Sequence, residues 1–215
     1  MARLKIGVLI SGRGSNLQAL IEAARDPAYP AEIAVVVSNG PEAAGLARAA
    51  AAGISHHIVA APSRAAFAAE ADRILRAAGV ELVALAGFMR ILDAGLVEAW
   101  ADQMVNIHPS LLPAFPGLHP QRQALAAGVK FSGCTVHFVR AAVDIGPIIA
   151  QAVVPVEDGD DEDRLAARIL AAEHRLYPLA VRFFAEGRLH IDGNRVAVTG
   201  GSPPDMAALN PTERP

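Results

Sequence analysis

In the first half of the chain, short continuous apolar runs alternate with stretches in which apolar residues recur at helical spacing. The first run, residues 6–10, ends in Ser11-Gly12-Arg13-Gly14-Ser15-Asn16, after which Leu17, Leu20, Ile21 and Ala24 keep the helical period. This predicts a strand, a glycine loop and a helix. Residues 33–37 predict a second strand, residues 41–52 an Ala-rich helix closed by Gly53, and residues 57–59 a short third strand. Ser63 is a good N-cap for a helix to about residue 78, which Gly79 ends. Residues 82–86 predict a fourth strand, and the run that ends at His108 a fifth. Strands that are apolar throughout and alternate with helices form a parallel sheet covered on both faces.

The pattern then changes. Residues 133–139 and 148–154 predict two more strands whose connection is too short for a helical crossover, so the pair is antiparallel. A long helix is predicted from Asp160 to about residue 185, ended by Gly187, and residues 189–198 predict a small hairpin. Residues 200–215 are rich in Gly, Pro and polar side chains and read as a loose C-terminal tail. No internal repeat or linker divides residues 1–199. The expectation is therefore one α/β domain, a parallel sheet with helices on both faces, extended by an antiparallel strand pair.

A composition of 53% hydrophobic and 19% charged residues over 215 positions suits such a domain. The formal net charge of -3 holds no basic surplus for a nucleic-acid backbone. Cys134 is the single cysteine, which excludes an internal disulfide framework and fits a reducing compartment. No apolar stretch is long enough to span a bilayer, and no cleavage-site pattern follows the N-terminus. The expected location is the cytoplasm, with neither membrane nor nucleic acid as a partner.

Gly12-x-Gly14 after a first strand invites a dinucleotide reading, but the neighbouring residues argue against it. The third glycine of that fingerprint would fall at Leu17, and the second strand ends in Ser38-Asn39 with no ribose-binding acid. No Gly-Lys-Ser/Thr follows for a Walker loop. What remains is a tight loop whose N–H groups and Ser15 hydroxyl can hold one phosphate at a helix N-terminus. A plain strand-to-helix turn with Ser15 or Asn16 as N-cap fits it equally well.

The segment richest in chemistry is Met104-Val105-Asn106-Ile107-His108-Pro109-Ser110-Leu111-Leu112-Pro113. With a side-chain period of two, Asn106 and His108 share one face of a strand, and Val105 and Ile107 can be buried on the other. Pro109 cannot donate to a ladder, so the strand stops there. An amide donor and a titratable ring are thus held at a strand end, where open α/β sheets place their chemistry. Asp144, in the connection of the antiparallel pair, would orient the His108 ring and favour an imidazolium if the fold brings them together. Singly, an aspartate can serve a turn and a histidine can be a hydrogen-bonded core residue. His137 alternates with Thr135 and Val139 on one strand face, and either borders the site or supports the fold. His56, His57, His119 and Cys134 lack metal-ligand spacing, so no metal is expected. The acidic run 157–163 reads as a helix start rather than a cation site.

Together, residues 11–18, 85–92, 106–113 and 144–147 resemble the folate-dependent glycinamide ribonucleotide formyltransferases. The Asn-x-His-Pro-Ser-Leu-Leu-Pro motif with a later Asp is shared by folate-dependent formyltransferases, and the Ser-Gly-x-Gly-Ser-Asn loop narrows that class. The resemblance covers about residues 4–190. It implies a Rossmann-like sheet with an antiparallel extension. The implied reaction moves a formyl group from 10-formyltetrahydrofolate to the amine of glycinamide ribonucleotide, through a tetrahedral intermediate, in de novo purine synthesis. By the same resemblance Asn106, His108 and Asp144 would be catalytic. Gly14, Ser15 and Asn16 would hold the substrate 5′-phosphate, and Glu173 the glycinamide end. Arg64, Met89, Arg90, Ile91, Leu92, Asn106, Arg140, Val143 and Asp144 would bind the folate, with main-chain groups of Arg90 and Leu92 reading the pterin. Formyl folate is then a co-substrate, no metal takes part, and the protein is a monomer or homodimer.

Gln121 departs from the histidine common in bacterial relatives, inside a loop, residues 117–128, that is mobile in the family. The extra C-terminal domain of methionyl-tRNA formyltransferases and the N-terminal regulatory domain of formyltetrahydrofolate deformylases have no counterpart expected here. Two other readings compete. Sugar formyltransferases share the Asn-x-His-Pro-Ser core, but as a rule not the Gly-Ser-Asn loop. A non-catalytic nucleotide-binding protein would be favoured by loss of Asn106, His108 or Asp144, and all three are present.

Overall fold

A computed structural model of the chain describes residues 2–202 and 208–210. Along these residues run β1 (Leu4–Ile10), α1 (Ser15–Ala24), β2 (Ala31–Ser38), α2 (Gly45–Ala51), β3 (His56–Ile58), α3 (Arg64–Ala77), β4 (Leu82–Leu85) and α4 (Ala94–Ala99). They continue with β5 (Met104–His108), α5 (Pro120–Ala126), β6 (Phe131–Phe138), β7 (Ile148–Pro155), α6 (Glu162–Ala185) and the hairpin β8 (Leu189–Asp192) and β9 (Arg195–Val198). The main sheet has seven strands in the order β3-β2-β1-β4-β5-β6-β7. Neighbours from β3 to β5 are parallel, and β6 runs antiparallel to both β5 and β7. This is the expected α/β sheet with its antiparallel extension.

The parallel strands are apolar on both sides because both sides are covered. Ile6, Val8 and Ile10 face one core, with Leu17 and Leu20 of α1 and Leu165, Ile169 and Tyr177 of α6. Leu9, Val37, Val83 and Leu85 face the other, with Phe67 and Leu75 of α3 and Trp100 after α4. Each such fully buried side chain is stabilising by roughly 1.5–3 kcal/mol, so the alternation fixes which way every strand faces. In β5, Val105 and Ile107 join the first core and Met104 the second. Asn106 and His108 share the parity of Met104, and they carry that face past the end of its core to the carboxyl edge of the sheet.

Several boundaries differ from expectation, each for a local reason. Gly14, with φ of 71°, is the N-cap of α1, and Ser15 and Asn16 already lie in the helix. The Ala-rich helix starts only at Gly45, whose N–H is taken by the Gly12 carbonyl at 3.0 Å. Asp161, rather than Asp160, caps α6 by accepting from the Arg164 N–H at 2.8 Å, while Asp160 pairs with Arg168. The segment read as loop 117–128 contains α5, started by Pro120 in its first turn and anchored by the buried Ala124. Residues 203–207 and 211–215 of the expected tail lie outside the described residues. Asn210 is tied down, its amide donating to the carbonyls of Lys130 and Val156 beside β6 and β7.

Candidate active site

The sheet reverses its direction of growth at β1. The chain leaves β1 toward β2 and β3, then crosses to β4 and β5 on the other side. The loops that follow β1 and β4 diverge there and open the crevice in which α/β sheets bind ligands. The two loops are tied together. Ser11 donates its N–H to the Gly87 carbonyl at 3.2 Å, and Met89 donates its N–H to the Ser11 hydroxyl at 2.9 Å.

The glycine loop closes against α2. A Cβ on Gly14 would lie 2.5 Å from the Gly45 Cα, and the backbone is left-handed, so only glycine fits. The first helical N–H to find a carbonyl behind it is that of Gln18, on Gly14 at 2.9 Å. The N–H groups before it stand at the positive end of the helix, as an anion site needs. The Asn16 side chain points elsewhere. Its amide donates to Glu173 Oε2 at 2.8 Å, and its Oδ1 is buried with no partner among the described residues. Burial pushes the Glu173 carboxyl up to about 7, and the Asn16 hydrogen bond opposes this only in part.

At the carboxyl end of β5 the structure brings His108 and Asp144 together, Nδ1 to Oδ2 at 3.3 Å, with both side chains 8% exposed. Asn106 is paired across the strands with His137, and its amide donates to His137 Nε2 at 3.3 Å. His137 Nε2 is also 3.7 Å from Asp144 Oδ1, and its Nδ1 donates to the Phe138 carbonyl at 2.9 Å. The loop after β5 folds back over the group. His108 Nε2 donates to the Phe115 carbonyl at 3.0 Å, and the Gly117 N–H donates to Asp144 Oδ2 at 2.9 Å. Both ring nitrogens of His108 thus face oxygen acceptors, an arrangement that suits an imidazolium. Burial raises the Asp144 pKa, but the adjacent His137 ring, the hydrogen bond from the Gly117 N–H and the charge of His108 outweigh it, so the carboxyl is held below its usual range. Asp144 takes a left-handed φ of 57° in the β6–β7 turn, and two residues on a Cβ at Gly146 would overlap the Phe138 carbonyl. The turn that presents Asp144 therefore cannot shift without moving β6.

The loops that flank this group carry exposed apolar side chains. Met89 is 69% exposed, and Ile91, Leu118, Val143 and Ile145 are also exposed. Leu92 is half-buried. The Arg90 guanidinium sits 5.9 Å from the centre of the Phe67 ring, which also meets Phe88 at 5.3 Å. Arg64 is exposed in the first turn of α3, one turn before Phe67. Arg140 is otherwise engaged: its guanidinium is bound by Asp102 at 2.6 Å.

Residues 4–181 match the formyl transferase family. The chain belongs to the formyl transferase family. Within it, the chain is 46% identical over 200 residues to the phosphoribosylglycinamide formyltransferase of Escherichia coli, covering 92% of this chain and 94% of that one. It is 53% identical over 192 residues to the trifunctional purine biosynthetic protein adenosine-3 of Drosophila pseudoobscura pseudoobscura, covering 87% of this chain. It spans 14% of that protein's length. The crystal structure of glycinamide ribonucleotide transformylase 1 from Symbiobacterium toebii superposes with a TM-score of 0.88 at 55% identity, covering 91% of this chain and 94% of that one.

Three groups of this candidate site are not assigned by the sequence. The sequence leaves His137 between site and scaffold, and the register of β5 with β6 sets it beside Asn106. Its alternation with Thr135 was the available signal. The Phe115 carbonyl and Gly117 N–H are main-chain groups, which no side-chain pattern reveals. Among the described residues, no cluster of three or more His, Cys, Asp or Glu could hold a metal ion, and no helix is long and apolar enough to cross a membrane.

The Glu173 environment gives a stability test. With a folded pKa raised from 4.5 to about 7, the folded protein binds more protons than the unfolded chain between those values. Stability then falls as pH rises through that window, by roughly 3 kcal/mol in full. Glu173→Gln removes the titration. Thermal unfolding at pH 5 and pH 8 should show the variant gaining on the wild type at the higher pH. A constant difference between the two proteins would place Glu173 in water.

Proposed function

We propose that this chain transfers the formyl group of 10-formyltetrahydrofolate to the amine of glycinamide ribonucleotide, with residues 1–199 as one catalytic domain working in the cytoplasm. The observation that carries the reading is the cluster of Asn106, His108, His137 and Asp144 at a strand end, in a chain of the formyl transferase family. Gly14 and the N–H groups of Ser15 and Asn16 hold the 5′-phosphate at the start of α1. Asn16 contributes its backbone there, since its side chain is committed to Glu173. Glu173, on that amide, faces the glycinamide end. Met89, Ile91, Leu92 and Val143 give the folate an apolar surface, Arg90 and Arg64 supply cations, and the Arg140 backbone leads into the turn.

Attack of the amine on the formyl carbon builds negative charge on the formyl oxygen. One Asn106 N–H is used on His137, and the second is free to donate to that oxygen. His108 Nε2–H is the other donor, and the Phe115 carbonyl marks the direction in which it points. The formyl oxygen takes the place of that carbonyl. Asp144 balances the charge on His108 while both donors hold the tetrahedral intermediate. The carbon–N10 bond then breaks, one proton having left the amine and one reaching N10.

The test follows release of deformylated folate by absorbance, with glycinamide ribonucleotide and, separately, an amino sugar nucleotide as acceptor. Turnover should need both formyl folate and glycinamide ribonucleotide. Turnover with the sugar nucleotide alone, or none from folded protein, would overturn the proposal.

A further inference from the structure

We propose that Gln151, on the sheet-edge strand β7, is a positioning residue for this reaction. It fixes the loop whose backbone holds His108 and Asp144. The inference rests on the function proposed above, but its geometry stands apart from it.

The loop after β5 carries two of the contacts that set the site, the Phe115 carbonyl on His108 and the Gly117 N–H on Asp144. Neither group belongs to a helix or strand, so something else must hold the loop in register. The anchor is Thr135, fully buried on β6 opposite His108. Its hydroxyl donates to the Ser110 carbonyl at 2.7 Å and accepts from the Leu112 N–H at 3.0 Å. A hydroxyl has one proton and two lone pairs. Its remaining lone pair is taken by the Gln151 amide at 3.0 Å, and the other proton of that amide goes to the Leu112 carbonyl at 2.8 Å. Thr135 has no proton left for Leu112, so Gln151 is the group that serves that carbonyl.

The fold itself does not need this side chain. β7 pairs with β6 through the backbone, and Gln151 itself is exposed. Its amide nevertheless reaches across to the loop and closes a path of hydrogen bonds through Leu112 and Ser110, whose hydroxyl donates to the Ala114 carbonyl at 2.6 Å. Phe115 follows directly. Catalytic geometry is sensitive on this scale, with about 1 Å of misplacement costing on the order of 100-fold in rate.

Gln151→Ala should lower kcat by roughly 10- to 100-fold. The acid side of its pH profile should move to higher pH. Asp144 faces His108 from β5, His137 from β6 and the Gly117 N–H from the loop, and loosening the last removes support for its charged form. Gln151→Lys restores donors to Leu112 and Thr135 and should recover most of the loss. Hydrogen exchange at the Gly117 amide needs no substrate: protection should fall in Gln151→Ala and return in Gln151→Lys. If the wild type fails to turn over glycinamide ribonucleotide, the proposed function falls while the exchange result still decides the role of Gln151. Unchanged Gly117 protection with kcat within twofold of wild type would overturn the inference, as would equal impairment in both variants.

Discussion

His108→Ala should lower kcat by about 100- to 1000-fold, the usual cost of removing one donor from an oxyanion site. The KM values for both substrates should stay within a few-fold of wild type, because the lost bond is made to charge that exists only during attack. The physical basis is the position of Nε2. In the free protein this nitrogen already donates, to the Phe115 carbonyl at 3.0 Å, so its proton is present and aimed before substrate arrives. A preorganised donor on a side chain that is 8% exposed costs little reorganisation when the oxyanion forms. Asn106→Ala should act in the same direction and on a similar scale. The double variant should lose much less than the product of the two losses, since both residues serve one oxygen. Circular dichroism should show both single variants folded. A kcat for His108→Ala within a few-fold of wild type would remove His108 from the reaction, and the cluster would then be a buried polar network that only supports the sheet.

The parity of Asn106 and His108 was legible because the period of two acts within a single strand and needs no partner. The parallel half of the sheet was legible for a similar reason, since Gly53 and Gly79 end two of its helices locally and an apolar run follows each within a few residues. The meeting of His108 with Asp144 is of another kind. It depends on the register of β5 against β6, and on a turn that holds Asp144 at a left-handed φ, neither of which is a local property. His137 shows the same limit: its alternation with Thr135 was visible, but not which strand that face would meet. The Asn16 side chain is captured by Glu173 of α6 when the two helices pack, a long-range contact that no local pattern shows. The helix at Pro120–Ala126 was missed because it is short and mostly small residues, although Pro120 at its start was a sign of it.

Asp144→Asn should cost about 100- to 10000-fold in kcat, the range in which positioned proton chemistry operates, although the change is nearly isosteric. The carboxylate has three neighbours: His108 Nδ1 at 3.3 Å, His137 Nε2 at 3.7 Å and the Gly117 N–H at 2.9 Å. An amide that keeps its oxygen on Gly117 also keeps it on His108 Nδ1, because one carboxylate oxygen meets both, and it turns its NH₂ toward His137. The oxygen facing His108 Nδ1 is then neutral and no longer balances a charge on the ring. The ring is driven toward a neutral form, whose single proton serves either the Phe115 carbonyl or this oxygen and not both. The geometry survives while the positive charge is lost. What remains can donate a hydrogen bond to the formyl oxygen but no longer brings a full charge to it, and charge-assisted bonds are about twice as strong as neutral ones. The ring nitrogens of His108 report this directly. Their ¹⁵N resonances should show two protonated nitrogens in the wild type and one in Asp144→Asn. Asp144→Ala should be no better, and it should also release the Gly117 N–H. Because the Asp144 carboxyl is held below its usual range, the wild type should keep its carboxylate well into acid, and its contribution to stability should disappear only as pH falls through that lowered pKa. Identical ¹⁵N patterns in wild type and Asp144→Asn, with the loss of turnover intact, would mean that Asp144 acts on the amine or on a water rather than through His108.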